Sequence, residues 1–219
     1  MNKEEVLSID KSISKSLYFF IKRIFDIICA LIGMVFLIPV TFIVKICYIL
    51  TGDFTSIFYA HDRIGKDGKI FKLYKFRSMV PNADKILEEM LKDPEIEKEY
   101  KKNMKLDKDP RITKVGRIIR KTSIDEMPQF INVLIGNMSM IGNRPYLPRE
   151  KKDMGKYYAS IVSAKPGITG YWQTTGRNDI DFKSRLKLEQ YYSEHMSLSF
   201  DIKIFFKTFK VVLLCFGAK

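Results

Sequence analysis

The dominant feature of the hydrophobic pattern is a run at residues 24–44, broken only by Asp26, Pro39 and Thr41. About 20 apolar residues are enough to cross a bilayer as a helix. A cleaved leader is not expected, because the run is too long and no small-residue cleavage site follows it. Lys11, Lys15, Lys22 and Arg23 precede the run, and Lys45, Arg63, Lys66, Lys69, Lys72, Lys75 and Arg77 follow it. Both flanks therefore carry the charge that favours the cytoplasmic side. A helix that enters, bends and leaves on one face satisfies both flanks. Pro39 lacks a donor and disfavours helical geometry at Ile38, so it is the place for the bend. A single crossing kinked at Pro39 is the alternative. Residues 1–18 are polar and read as a mobile or surface-lying lead-in, residues 19–50 as the membrane helix and residues 51–219 as the remaining domain.

Beyond the membrane run the pattern predicts short elements. Residues 51–60 hold a turn and a strand region, 66–69 a turn, and 70–79 a strand by alternation. Residues 82–105 are dense in Lys and Glu at helical spacing, interrupted by Pro94, and read as a solvated helical insert. Residues 111–121 form an amphipathic helix, with Ile112, Val115, Ile118 and Ile119 on one face and Lys114, Arg117, Arg120 and Lys121 on the other. A short apolar helix follows at 128–135, and another helix at 184–192. Segments 137–149 and 164–178 are rich in Gly, Pro and Asn and are expected to be loops. From 198 to 216, Leu198, Ile202, Phe205, Phe209 and Val212 recur at helical spacing, with Lys203, Lys207 and Lys210 on another face. That mixture suits a helix lying in the headgroup layer, or one packed on the domain core. The fold class is α+β, mostly helical.

Composition adds a choice of partner. The 219 residues carry 38 Lys+Arg against 25 Asp+Glu, a net charge of +13. With 46% hydrophobic residues the chain is not disordered, and a basic, aromatic-rich surface suits either nucleic acid or an anionic membrane. Cys29, Cys47 and Cys215 all lie in apolar stretches, which argues against a disulfide scaffold. His61 and His195 have no cysteine pair nearby, so no zinc spacing exists.

Three constellations could carry chemistry. Ser123-Ile124-Asp125-Glu126 has the spacing of a capping box, and Pro128 fits a first helical turn. Either way two carboxylates sit at a helix start beside a basic helix, a setting that favours their ionised forms. An ionised Asp beside a divalent cation is a workable nucleophile towards phosphorus, and Glu is a hard oxygen ligand of the kind Mg2+ takes. The other two are Gly142-Asn143-Arg144-Pro145 and the stretch from Lys165 to Gly170 followed by Gly176-Arg177-Asn178. They offer two arginines in loops that could converge on a diphosphate.

The ordered segments KRIFDIICALIGMVFLIPV (22–40), KIFKLYKFRSM (69–79), DPRITKVGRIIRKTSIDEMPQFINVLIGNMSMIGNRP (109–145), KPGITGYWQTTGRN (165–178) and FDIKIFFKT (200–208) resemble the bacterial sugar transferase family, the monotopic polyprenyl-phosphate phosphoglycosyl transferases. The resemblance spans nearly the whole chain after residue 20 and fits the minimal catalytic form. It implies a re-entrant helix-break-helix membrane segment, interfacial amphipathic helices and a small α/β catalytic domain at the cytoplasmic face of the bacterial inner membrane. It also implies ping-pong transfer of a sugar-1-phosphate from a UDP-sugar to polyprenyl phosphate with release of UMP, the first membrane step of a surface glycan such as capsule, exopolysaccharide or O-antigen. Asp125 matches the nucleophile, and Glu126 matches its partner in holding Mg2+.

On matched positions, Arg120 could brace the carboxylate or the leaving phosphate, Lys75 and Arg77 neutralise the diphosphate, and Arg144 and Arg177 clamp phosphate or uridine. Asp201 matches an acidic position, with a structural ion pair an equal reading. Expected partners are membrane lipid, downstream glycosyltransferases and a second copy of the chain, but no nucleic acid, for which no module is recognisable. The family's usual Gly-Asp-Met-Ser, Gly-Pro-Arg-Pro and Ser-Pro stretches depart here at Asn137, Asn143 and Ile38. These changes are expected to remove a carboxylate, loosen the loop before Arg144 and remove a hydroxyl at the bend. A non-catalytic scaffold and a membrane-anchored nucleic-acid binder are the competing readings.

Overall fold

The computed structural model describes residues 3–103, 106–176 and 180–213. Its first element is one long helix, α1 (Lys3–Leu50), with Pro39 inside it. The polar lead-in is thus helical rather than a loose segment. Val6, Ile9, Ile13 and Leu17 continue the helical spacing upstream, and no Gly or Pro precedes Gly33. Nor is the helix interrupted at Pro39, where a break in the helix was expected. Thr41 Oγ1 donates to Leu37 O at 2.7 Å, a back-bond of the kind that bends helices without ending them. This hydroxyl lies three residues beyond Ile38, the position at which the family pattern places one.

One edge of α1 is packed and the rest is bare. Lys22, Asp26, Ala30, Leu37, Val44 and Tyr48 are buried at steps of helical period, whereas Ile28, Leu31, Val35, Phe36, Phe42 and Ile46 are more than half exposed. It is the one helix among the described residues long and apolar enough to cross a membrane.

The domain packed along that edge is α+β. Strands β1 (Phe58–Ile64) and β2 (Ile70–Phe76) form an antiparallel hairpin in which Tyr59 pairs with Lys75 and His61 with Leu73. The charged insert is two helices, α2 (Ala83–Met90) and α3 (Pro94–Asn103). Asp93 Oδ1 accepts the Glu95 N–H at 2.8 Å, starting the second helix with Pro94 in its first turn. Helix α4 (Lys114–Lys121) begins later than its amphipathic pattern suggested, because Thr113 caps it by accepting the Gly116 N–H. Val115 and Ile119 are buried, but Ile118 is 65% exposed, so the expected four-residue apolar face is split. A Cβ at Gly116 would stand 1.9 Å from Ser78 O. Only glycine lets α4 approach the end of β2 this closely.

Then come a 3-10 turn (Ile124–Glu126) and α5 (Gln129–Leu134). The two expected loops contain a parallel strand pair, β3 (Ser139–Ile141) and β4 (Gly167–Thr169). Three residues are too few to show an alternating pattern. Helices α6 (Lys151–Met154) and α7 (Tyr158–Val162) lie between these strands, and α8 (Tyr171–Thr175), α9 (Phe182–His195) and α10 (Leu198–Leu213) follow. α10 packs through Phe205 against Phe25 of α1 while Ile202, Phe206 and Phe209 remain exposed, so it meets the core and also presents an apolar face.

Among the described residues no disulfide forms; Cys29 and Cys47 are free thiols, and Cys215 lies outside them.

Candidate active site

Ser123 adopts φ +59° and makes no side-chain cap bond, so the Ser-x-x-Glu spacing does not build a capping box. Instead the left-handed residue ends α4 sharply, and the 3-10 turn directs Asp125 and Glu126 towards β2. There Lys75 Nζ lies 2.8 Å from Glu126 Oε1 and 3.7 Å from Asp125 Oδ2. Asn132, fully buried on α5, holds the turn against the strand: its Oδ1 accepts the Tyr74 N–H at 2.9 Å and its Nδ2 donates to Lys72 O at 2.7 Å. Nothing in the sequence pattern singled out this asparagine.

Asp125 is 8% exposed. Burial pushes its carboxyl up to about 6, and the charge of Glu126 adds to the rise, while Lys75 and Arg120 pull it down. The expected preference for ionisation is thus overridden by desolvation. The result is a carboxylate more basic than a surface Asp, still ionised near neutral pH and flanked by cations. The two adjacent carboxylates are oxygen donors that Mg2+ can share with substrate phosphates, since Mg2+ is usually held by one or two carboxylates, while the Lys75 ammonium is a counter-charge and not a ligand. Among the described residues no third acidic, His or Cys ligand joins them.

The other expected site residues divide. Arg120, on the last turn of α4, is close enough to Asp125 to act on its charge. Arg77 does not have the expected freedom to bind a diphosphate. Its guanidinium donates to Ser56 O, Met79 O and Asp53 Oδ2 at 2.7–3.0 Å and stacks 4.6 Å from the Tyr48 ring centroid. Tyr48 OH in turn donates to Arg77 O. Arg77 therefore ties the end of β2 to the end of α1. Asp201 is likewise structural: it accepts from Lys22 Nζ at 2.6 Å, Tyr18 OH at 2.9 Å and Tyr192 OH at 2.7 Å, joining α10 to α1. Arg177 lies outside the described residues.

Arg144 is half-buried, and its backbone N–H donates to both carboxylate oxygens of Glu189 at 3.0 Å. Its guanidinium lies 6.0 Å from the Trp172 ring, which Arg185 approaches to 4.9 Å. Arg144 Nε is buried with no partner among the described residues. The loop before it is anchored rather than loosened by Asn143, whose Nδ2 donates to Ile161 O at 3.1 Å and Ser193 Oγ at 2.6 Å.

His61 connects the two regions. Burial and the surrounding Arg63, Lys75, Arg144 and Arg149 push its imidazole down to about 2. A neutral histidine thus sits within a basic tract running from Lys75 towards Arg144. Sequence reasoning missed His61, Arg63, Arg149 and Arg185; the shared side of β1 and β2, which carries Tyr59, His61, Arg63 and Lys75, was the available signal for the first two.

A helix long and apolar enough to cross a membrane, carrying a small α+β domain in which the buried Asp125 and its half-exposed neighbour Glu126 face a lysine, defines the class. The sequence signature described as bacterial sugar transferase matches residues 17–215, and the chain belongs to that family. It is 45% identical to the undecaprenyl-phosphate galactose phosphotransferase of Salmonella typhimurium, covering 97% of this chain and 44% of that one. It is 41% identical to the UDP-galactose-lipid carrier transferase of Erwinia amylovora, covering 97% and 44%. With the exopolysaccharide production protein ExoY of Sinorhizobium fredii it shares 38% identity over 90% of this chain and 87% of that one. The chain thus spans less than half the length of the first two relatives and most of the third.

Proposed function

We propose that this protein transfers a sugar-1-phosphate from a UDP-sugar to a polyprenyl phosphate, releasing UMP, with Asp125 as the nucleophile. The observation that carries the reading is the buried Asp125 carboxyl beside Glu126, Lys75 and Arg120, within a family whose relatives include carrier-lipid phosphotransferases. In the first step an Asp125 oxygen attacks the β-phosphorus of the donor. The bond from that phosphorus to the bridging oxygen breaks, and UMP leaves with the electron pair. In the second step a phosphate oxygen of the polyprenyl carrier attacks the same phosphorus and frees the carboxylate, giving a polyprenyl diphosphate sugar.

Lys75 and Arg120 stabilise the charge that spreads over the transferring phosphoryl oxygens. Arg144, its backbone anchored by Glu189, provides a guanidinium for the nucleotide end. Glu126 and Asp125 are the residues that would hold Mg2+, which would neutralise diphosphate charge. The names of the relatives point to galactose as the sugar to try first.

The membrane reading rests on α1. Lys22 is bonded to Asp201 near one end of the apolar run and Tyr48 to Arg77 near the other, about 39 Å apart if straight, at 1.5 Å per residue. A helix spanning the hydrocarbon could not keep a polar domain against both ends. Contact from Tyr18 to Tyr48 supports an α1 inserted shallowly with both ends of the apolar run on the cytoplasmic face, its bare side in lipid. Ile118 of α4 and Phe206 and Phe209 of α10 extend that apolar surface. Downstream glycosyltransferases and a second copy of the chain remain proposed partners in surface-glycan assembly.

The test is UMP release from a panel of UDP-sugars, with and without polyprenyl phosphate and Mg2+. Wild type should release UMP and trap a phosphosugar on Asp125 when the carrier is omitted. Label on another residue, or full turnover by Asp125→Asn, would sink the reading.

A further inference from the structure

A second cluster of cations lies beside α1, on the N-terminal side of the Asp125 turn. A cavity of about 250 Å³ is bounded by Phe19, Lys22, Arg23, Asp26, Lys66 and Lys165, with Tyr192 and Met196 opposite. Leu37 packs in the same cluster as Ile124 and Met127 beside the Asp125 turn. Arg23 is 14 residues before it, about 21 Å along the helix axis at 1.5 Å per residue. The cavity is therefore separate from the carboxylate pair.

Its charge is not balanced. Lys22 is neutralised by Asp201. Arg23 donates to Val133 O and Leu134 O at 2.6 and 2.9 Å, which satisfies hydrogen bonds but not its charge. Asp26 already accepts from Ser139 Oγ and the Met140 N–H. Lys165 Nζ and Arg23 Nη2 come within 3.6 and 3.7 Å of the point a Cβ would occupy at Gly136, so two cations converge on one space. Burial, Arg23 and Lys66 all lower the Lys165 ammonium, and Asp26 alone opposes them. Phe19 at its edge is exposed, as are Leu17 and Phe20 in the same stretch of α1.

We infer that this cavity binds the phosphodiester headgroup of an anionic membrane lipid, held by Lys165, Lys66 and Arg23, with its acyl chains lying along the bare side of α1. Charge complementarity and the position beside a lipid-facing helix select that ligand. The volume of about 250 Å³ is enough for a headgroup, and the open side leaves room for the acyl chains. The inference rests on the membrane reading of α1 but not on the reaction at Asp125.

The experiment uses the full chain in neutral detergent and measures binding of phosphatidylglycerol and phosphatidylcholine by native mass spectrometry. Variants are Lys66→Gln, Lys66→Gln/Lys165→Gln and, as a control, Lys207→Gln on exposed α10. Wild type and the control should prefer phosphatidylglycerol. The double variant should lose about 30-fold in affinity for it, as two surface lysines warrant, and the single exposed change should lose part of that. Millimolar inorganic phosphate should not displace the lipid, and UMP release in detergent should be unchanged. Equal binding of the two lipids, wild-type affinity in the double variant, or displacement by inorganic phosphate would overturn the proposal. So would loss of UMP release, which would make the cavity part of the substrate site.

Discussion

The ammonium of Lys75 stands 3.7 Å from Asp125 Oδ2 while bonding Glu126 at 2.8 Å. A strand residue 50 positions upstream thereby opposes the effect of burial on the charge of the turn. Burial raises the Asp125 carboxyl, and the attraction of Lys75 helps hold the rise to about 6. Removing Lys75 should let that value climb. The acid limb of kcat/KM for wild type is expected near pH 6, with activity falling as Asp125 protonates. In Lys75→Met the limb should move upward and the rate above it should fall about 100-fold or more. An unshifted limb would show that another group governs it.

The same carboxyl makes a stability statement. Its folded value is raised above the ordinary Asp range near 4. The folded state therefore binds the extra proton, and the associated stability is present below about pH 4 and lost as pH rises through about 6. Asp125→Asn should accordingly be more stable than wild type at pH 8, by on the order of 1–3 kcal/mol, with the gap closing at pH 4. Tm in detergent at the two pH values measures it; a gap that widens at low pH contradicts the sign.

Asn132 satisfies the Tyr74 N–H and Lys72 O with one buried amide. Asn132→Ala should cost about 1–3 kcal/mol because two part-buried backbone groups lose partners. UMP release per folded molecule should fall as well, since the turn loses its support. A drop in Tm without any change in kcat would show that the clamp serves folding alone.

Asp201 tests the opposite case. Asp201→Asn leaves Lys22 buried without its counter-charge and should destabilise by about 3 kcal/mol. KM for the UDP-sugar should be unchanged in the fraction that folds. A raised KM with normal Tm would return Asp201 to the binding site.

The local elements were readable where pattern length exceeded about two periods: the membrane run, β2, α4, α9 and α10. The carboxylate pair was readable because ordered motifs surround it. The strands β3 and β4 were not, since three residues flanked by Gly and Pro look like a turn. The role of Arg77 was hidden because Ser56, Asp53 and Tyr48, which occupy it, are brought together only by tertiary packing. Asn143 misled for a related reason. Replacing a proline suggests slack, but an amide can reach Ile161 and Ser193 where a pyrrolidine cannot. The Asp125 carboxyl went wrong by magnitude: neighbouring cations were visible in the sequence, and the burial that outweighs them was not.

Ala30, Leu37, Val44 and Tyr48 of α1 are constituents of the domain's own core clusters. Deleting the anchor to obtain a water-soluble enzyme would strip those clusters of one wall and leave Lys75's strand without its Arg77–Tyr48 fastening. A soluble derivative calls instead for polar replacements at Ile28, Leu31, Val35, Phe36 and Phe42, with the inward edge left intact.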